Sequence, residues 1–495
     1  MKKPFYIIHI GDSLPLALML AACKTVQAAS PVVTNASQQA ASILALTGWT
    51  LGQCAAAGPA FPLRPSPDGR YLVDAKGAPF FYHADTAWQL PKKATLAVAE
   101  EYFDRRVKDG FTAIQLHTVS KEVAPVGNFN GDEPFVPLED ILKPNESYWR
   151  HLDAVLEVAE KRGLFVSIAA LWIRWGGQDK EGWRYQLTDD NAKAYGRFLG
   201  QRYAARKNIL WILGGDANPG ERQKAISLLA QGLKETAPHH LVTVHNAPEH
   251  SSAAFFAGES WLDINAAYTY RETYRQVLSE WLRPYPNQRP RPIFLIESGY
   301  EKESNDQRPG DPFRVRRQAY GAILSGALMG HAYGHRELWR FSGQWRQSLD
   351  DTGSKQMRQV RELFTTRAWW KLEPDQDHRL VVAGRGKAGE VDYVTAAVAQ
   401  DGSFAILYLP QARPITVDLA RLSRGADHEV RAAWFDPTTG ESRRVEGSPF
   451  PPRTNREFIP PDKNAVGDND WVVILESQTS ATPGKSGAGQ SAPRG

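Results

Sequence analysis

The chain reads as a (β/α)8 barrel followed by a small antiparallel β sandwich, and three observations predict that fold class. Short apolar runs ending in polar or aromatic residues alternate with amphipathic stretches closed by glycine through the first three quarters of the sequence, the signature of successive βα units. Two of the runs stop abruptly in a carboxylate: residues 208–219, NILWILGGDANP, at Asp216, and residues 292–301, PIFLIESGYE, at Glu297. Beyond about Lys371 the pattern changes to short strands separated by turn signals, which is the spacing of an antiparallel sandwich.

Each element follows in order. Residues 70–74 and 79–82 flank an Ala-Lys-Gly turn and predict a hairpin that leads into strand one, which ends HADTAW at residues 83–88. An amphipathic helix over 94–109 is closed by Gly110, a usual C-cap. Strand two, 111–116, ends in His117, and a Gly, Asn and Pro-rich loop over 127–144 precedes a helix over 148–162 closed by Gly163. Strand three, 164–171, carries Trp172, Arg174 and Trp175 at its end; a helix over 190–207 leads to strand four, 209–213, and Asp216. A helix over 221–236 is followed by strand five, 241–244, with His245 and Asn246, and strand six, 262–267, with Tyr268 and Tyr270. Strand seven delivers Glu297, a long polar loop over 302–312 and a helix over 313–328 follow, and strand eight, 330–333, contains His331. Strands at 393–397, 404–409, 415–419, 428–435 and 471–475 make the sandwich.

A length of 495 residues implies two or three domains. The map expected is a signal peptide over 1–29, a linker over 30–60, the barrel over 61–371, the sandwich over 372–477 and a Ser, Gly, Pro and Ala-rich disordered tail over 478–495. Lys2 and Lys3 precede an apolar core at 14–22 that is too short to span a bilayer. It ends Leu20-Ala21-Ala22-Cys23, which resembles a bacterial lipobox, so the expectation is export, either as a lipoprotein anchored at Cys23 in the periplasm or at the cell surface, or as a freely secreted protein cut near Ala28 and Ala29. The second cysteine, Cys54, also precedes the barrel, so no disulfide framework is implied. A net charge of +4 without Lys/Arg runs gives no argument for nucleic acid or an anionic membrane surface. Fifteen Trp and 17 Tyr are many, and flat aromatic faces suit the C–H faces of sugar rings. A monomer that binds an oligo- or polysaccharide is the expectation.

In a barrel of this kind catalysis is built at the C-terminal ends of the strands. Asp216 and Glu297 are 81 residues apart, about three βα units at roughly 30 residues each, which puts them on strands four and seven. Two strand-end carboxylates in an aromatic mouth are the parts glycoside hydrolysis needs: one protonated to give a proton to the leaving oxygen, the other to attack the anomeric carbon or to activate water. Asp85, Trp88, His117, Trp172, Arg174, His245, Asn246, Tyr268 and His331 are the candidate substrate contacts, and Asp311 and Glu337 are alternative acids. No metal or other cofactor is expected. There is no His-Glu-x-x-His motif, and the cysteines lie outside the barrel, so zinc and cysteine peptidase mechanisms lack their parts.

Residues 70–90 (RYLVDAKGAPFFYHADTAWQL), 110–117 (GFTAIQLH), 211–219 (WILGGDANP) and 294–301 (FLIESGYE) together resemble the apiosidase-like family, glycoside hydrolase family 140, from about Phe61 to Lys371. The segment with YVTAAVAQDGSFAILYLP and AAWFDPTTGESRRV is similar to the β domain that accompanies those catalytic domains and carries a collagen-binding label. The resemblance implies a retaining exo-glycosidase acting on polysaccharide side chains, with apiose in pectin as its substrate, Asp216 as acid/base and Glu297 as nucleophile. The wider clan has Asn-Glu where this chain has Gly215-Asp216, so the acid is one methylene shorter. The competing expectation is a catalytically inactive carbohydrate-binding or scaffold protein.

Overall fold

The computed structural model describes residues 58–173, 182–285, 289–422, 428–452 and 454–479. Cys23, Cys54, Arg174, Trp175, the leader and the C-terminal tail lie outside the described residues. From Pro59 on, the chain belongs to one compact unit. Among the described residues no helix is long and apolar enough to cross a membrane.

Eight parallel strands form the first body: β1 (Tyr82–Thr86), β2 (Ala113–His117), β3 (Phe165–Ala169), β4 (Ile209–Gly214), β5 (Leu241–His245), β6 (Asn265–Tyr268), β7 (Ile293–Glu297) and β8 (Gly330–Tyr333). They pair in the order β5-β4-β3-β2-β1-β8-β7-β6, so the two ends of the sheet are β5 and β6. These meet through the Asp263 N–H donating to the Val242 carbonyl at 3.0 Å, and through Ser252, whose Oγ donates to the Val244 carbonyl at 2.7 Å and accepts the Ala266 N–H at 3.0 Å. A hydroxyl thus stands in for ladder bonds where the barrel closes.

Parity along the strands explains their apolar runs. Tyr82, Ala84, Phe165, Ala169, Leu210, Ile212, Phe294, Ile296 and Ala332 fill the barrel interior, while the alternating residues Ile114, Leu116, Val166, Ile168, Trp211 and Leu213 face the helices. Those helices are α1 (Leu96–Asp109), α2 (Glu146–Lys161), α3 (Asp189–Tyr203), α4 (Gln223–Thr236), α5 (Thr273–Trp281), α6 (Pro312–Leu324) and α7 (Thr352–Thr365). α1 starts where the Thr95 side chain accepts the Val98 N–H and ends at Gly110 in the left-handed region. α6 is shorter than the 313–328 expected: its pattern stays apolar, but Gly326 takes φ 114° and turns the chain under Trp281. Asp311, an alternative acid in the sequence, is the cap of this helix and accepts the Arg314 N–H at 2.7 Å; Glu337 is likewise engaged by the Ser342 hydroxyl.

The second body is all antiparallel. β9 (Leu372–Pro374), β11 (Thr395–Ala399), β12 (Phe404–Leu409), β14 (His428–Phe435), β15 (Ser442–Arg444) and β17 (Trp471–Thr479) form a six-stranded sheet, and β10 (Val381–Ala383), β13 (Ile415–Asp418) and β16 (Asn455–Phe458) a three-stranded one. Ala405, Leu407 and Leu409 of β12 face the small sheet. The alternating Phe404, Ile406 and Tyr408 belong to the barrel's helical core, with the Tyr408 ring stacked on Tyr320 of α6 at 4.8 Å. At that seam the Arg316 guanidinium holds Asp470 at 2.8–2.9 Å, with both side chains fully buried.

Candidate active site

Asp216 reaches the mouth through three consecutive left-handed residues, Gly214 at φ 80°, Gly215 at φ 136° and Asp216 at φ 43°. A Cβ on Gly214 would lie 2.4 Å from the His245 carbonyl oxygen, and one on Gly215 would lie 2.5 Å from the Trp172 ring. The sequence Gly-Gly-Asp is therefore a steric necessity of this turn: glycine where backbone and indole press in, and aspartate where αL is tolerated.

Glu297 ends β7 and is clamped by two donors. The Tyr270 hydroxyl donates to Oε1 at 2.9 Å, and Nε2 of His245 lies 3.0 Å from Oε2. His245 also presents Nδ1 to Asp216 Oδ1 at 3.7 Å and to the Asn246 carbonyl at 3.1 Å. One side-chain oxygen of each acid and a ring nitrogen of His245 all lie within 4.8 Å of one another. Burial alone would lower the pKa of His245, but the hydrogen bond and charge of Glu297, with the charge of Asp216, outweigh it and raise it. Asp216 is pushed up to about 7, first by burial and second by the Glu297 charge, with His245 and the Tyr268 hydroxyl pulling the other way. Its side chain is 10 % exposed and Oδ1 has no hydrogen-bond partner. The arrangement is that of a neutral acid beside a held carboxylate.

The same trio has the residue types of a cation site. His245 already lies between the two acids, 3.0 Å from Glu297 Oε2 and 3.7 Å from Asp216 Oδ1.

A row of rings crosses the strand ends beneath the acids. Trp88 stacks on His117 at 4.7 Å, and tilted ring contacts continue from His117 to Trp172 at 4.6 Å, Trp172 to His245 at 4.9 Å and His245 to Tyr268 at 4.6 Å. His117 is held well below its usual pKa, by burial first and then by the charges of Lys92 and His245, and its Nε2, like Trp172 Nε1, is buried without a partner. Such groups are what a hydroxyl-rich ligand would satisfy.

Seven of the residues singled out by sequence therefore meet here: Asp216, Glu297, Trp88, His117, Trp172, His245 and Tyr268. Asn246 serves through its backbone carbonyl, while its amide braces the turn by donating to the Ser251 carbonyl at 2.7 Å. Two expectations are corrected. Asp85 is fully buried on the outer side of β1, ion-paired with Arg106 of α1 and hydrogen-bonded by Tyr102, because its parity is opposite to that of Ala84. His331 faces the same layer, its Nε2 3.0 Å from His83 Nδ1, because Ala332 takes the inward position on β8. Neither reaches the mouth. Sequence reading did not assign three residues that do belong: Tyr270, the partner of Glu297; Tyr300, whose hydroxyl accepts Trp88 Nε1–H at 3.1 Å; and Glu303, which accepts Trp339 Nε1–H at 2.9 Å and whose pKa is raised by burial, with the Glu297 charge adding to it. Tyr-x-Tyr at the end of strand six, with the hydroxyl spacing it implies, was the available signal for the first.

An eight-stranded parallel barrel that ends its fourth and seventh strands in paired carboxylates over an aromatic floor has the architecture of a glycoside hydrolase. Solved structures agree: a glycoside hydrolase aligns with a TM-score of 0.74 and 26% identity over 84% of this chain and 98% of its own. A glycoside hydrolase of family 5 from Bacteroides vulgatus aligns with a TM-score of 0.73 and 24% identity over 84% and 93%, a likeness of fold. The chain belongs to the family described as Apiosidase-like, catalytic domain, whose model matches residues 66–371. Residues 374–476 match the family described as "Putative collagen-binding domain of a collagenase". No curated protein matches the sequence.

Proposed function

We propose that this protein is a retaining, exo-acting glycoside hydrolase that removes terminal sugars from polysaccharide side chains, apiose from pectin being the substrate its family suggests. The observation that carries the reading is the spacing and asymmetry of the acids. Their near oxygens lie within 4.8 Å, close to the roughly 5 Å of double displacement and short of the ~6.5–9.5 Å that an intervening water requires. Glu297, ionised and held at both oxygens, attacks the anomeric carbon as the glycosidic C–O bond breaks. Asp216, neutral up to about pH 7, gives its proton to the departing oxygen. In the second half Asp216 takes a proton from water, the water oxygen attacks the anomeric carbon and Glu297 is released. The shorter acid stands at the end of three consecutive left-handed residues, Gly214, Gly215 and Asp216.

Export, as a lipoprotein anchored at Cys23 or as a freely secreted protein, is part of the same proposal, since pectin is met outside the cell. It rests on Lys2, Lys3 and the Leu20-Ala21-Ala22-Cys23 segment. Cys23→Ala should move the protein from membranes to the soluble fraction, and unchanged fractionation counts against the anchor.

The decisive experiment is a screen of purified protein on oligosaccharides from pectin and other plant polysaccharides, with Glu297→Gln as control. Apiose released by the wild type alone is the expected result. Another sugar changes the specificity and keeps the chemistry; no release from any substrate overturns the enzyme reading in favour of a binding protein.

A further inference from the structure

The loop that follows β7 at the catalytic rim is tightly built. The Lys302 N–H donates to the Gly310 carbonyl at 2.7 Å, and Asn305 and Arg308 exchange N–H to carbonyl bonds at 3.1–3.2 Å. The Arg314 guanidinium fastens the same loop from α6, donating to the carbonyls of Asn305 at 3.2 Å and Arg308 at 2.7 Å. Three of its residues take left-handed φ without being glycine: Lys302 at 59°, Asp306 at 53° and Gln307 at 59°. The last two form the two-residue turn at the tip, where such angles are usual. Lys302 is the third residue of a turn in which the Glu303 N–H donates to the Tyr300 carbonyl at 3.2 Å, a position that suits glycine and strains lysine. The strained step falls immediately before Glu303.

Glu303 itself is oriented at one oxygen only. Trp339 Nε1–H donates to Oε2 at 2.9 Å, while Oε1 faces the Arg340 guanidinium at 3.6 Å, too long for a hydrogen bond. The donor is fixed in its turn: Trp339 packs on the interior cluster that holds Trp88 and Trp172, and its carbonyl accepts the Gln89 N–H at 3.1 Å. The side chain of Glu303 is 22 % exposed, so Oε1 keeps acceptor capacity on a carboxylate that cannot swing freely. Burial raises the pKa of Glu303; the Trp339 bond and the Arg340 charge oppose this, and the Glu297 charge adds to it.

We propose that Glu303 is a substrate-binding residue that accepts a free hydroxyl of the terminal sugar on the side of the mouth away from the leaving group. The inference rests on the exo-glycosidase reading above. Trp339 follows β8, which stands four strands from β4 in either direction around the barrel, so the pair of Glu303 and Trp339 lies across the mouth from Asp216. Asp216 gives its proton on the leaving-group side. The sugar whose anomeric carbon meets Glu297 therefore extends the other way, toward Glu303. A hydroxyl that donates to a carboxylate makes a charge-assisted bond, stronger than a neutral one. A sugar substituted at that oxygen, as in the interior of a chain, has no proton to give and leaves the carboxylate unpaired. One fixed acceptor thus selects chain ends.

Glu303→Gln keeps the shape of the side chain and an acceptor for Trp339, and loses the charge. The substrates are the nitrophenyl glycoside of apiose, or of whichever sugar the oligosaccharide screen releases, and its analogues with each sugar hydroxyl replaced by hydrogen in turn. On the parent glycoside the variant should lose roughly 10- to 100-fold in kcat/KM, the loss of one hydrogen bond to a charged group. On the analogue that lacks the hydroxyl held by Glu303, the wild type should fall by a similar factor and the variant should lose little more. Each protein is compared with itself across substrates, so a change in the stability of the variant leaves the comparison intact. Wild-type kcat/KM in the variant, or the same proportional loss in both proteins on every analogue, overturns the proposal, as does internal cleavage of oligosaccharides by the wild type. Release of no sugar from any substrate removes the enzyme reading instead. Glu303 is then judged by calorimetric binding of pectin oligosaccharides to wild type and Glu303→Gln, where weaker binding by the variant upholds the contact, and equal affinity, or no binding to either, overturns it.

Discussion

His245 Nε2 sits 3.0 Å from Glu297 Oε2 while the opposite edge of the same ring faces Asp216 Oδ1 at 3.7 Å. One imidazole thus spans both acids; burial would lower its pKa, and the hydrogen bond and charge of Glu297, with the charge of Asp216, outweigh that and raise it. His245→Gln retains a donor and loses the charge. It should lower kcat/KM by about a hundredfold, the order seen when one preorganised group is removed, and should move the basic limb up, since the cation that lowers Asp216 is gone. A pH series of kcat/KM checks this; an unmoved limb means the ring is neutral when the enzyme works.

In the wild type the basic limb belongs to Asp216, which must be protonated to act and is held at about 7 by burial and then by Glu297. Activity on unactivated oligosaccharides should therefore fall as pH rises through about 7. Folding stability follows the same direction. Between the ordinary carboxylate range and 7 the folded state binds a proton at Asp216 that the unfolded chain has released, so this group's contribution to stability declines as pH rises across that window. His245, also raised, stabilises most fully below its unfolded value and loses that contribution as pH rises through its folded one. Asp216→Asn removes the first of these effects, so the melting temperature of Asp216→Asn relative to wild type should climb between about pH 4 and 7. A constant difference would mean that Asp216 ionises normally.

Much of this was legible in the chain because strand ends are abrupt. ILWILGGD passes from apolar to acidic across two glycines and IFLIESGYE does so directly at Glu297, as a strand buried on both faces and stopping at a catalytic rim would. What sequence position did not settle was parity. Asp85 and His331 lie near strand ends as Asp216 and Glu297 do, but one step along a strand reverses the face, and the inward partners Ala84 and Ala332 are too small to declare themselves. The left-handed turn was hidden for another reason: Gly214 and Gly215 announce freedom, and only the Trp172 ring and the His245 carbonyl reveal that it is required. α7 carried a readable stripe, Met357, Val360, Leu363 and Phe364, which went unassigned because it falls where the βα period ends.

Gly215→Ala tests that turn directly. The new Cβ would stand 2.5 Å from the ring of Trp172, which is 1% exposed and has no room to retreat, at a φ of 136°. The expected cost is roughly 3 kcal/mol or more, together with loss of most activity as Asp216 and Trp172 are pushed apart. Gly163→Ala is the matching control: φ is 70° and nothing lies within 4 Å, so its cost should stay at about 1 kcal/mol with activity intact. Denaturant midpoints and turnover of both variants decide whether the strain is local to the site.

The Arg316 to Asp470 pair makes a different prediction, because it ties the barrel to the β domain rather than serving the mouth. Both side chains are fully buried; Gln356 and Asp468 also accept from the guanidinium, and the Tyr408 hydroxyl donates to Asp470 at 2.8 Å. Breaking such a pair from one side strands a charge without water. Arg316→Met should cost about 3–5 kcal/mol, and the unfolding transition should split as the two bodies lose their common cooperativity. Replacing both partners leaves no stranded charge, so Arg316→Met with Asp470→Leu should recover much of the loss. Kinetic constants measured below the transition should match wild type in both variants, since the seam contributes no group to Asp216 or Glu297. A large change in kcat with unchanged unfolding would instead make the β domain part of the catalytic machinery.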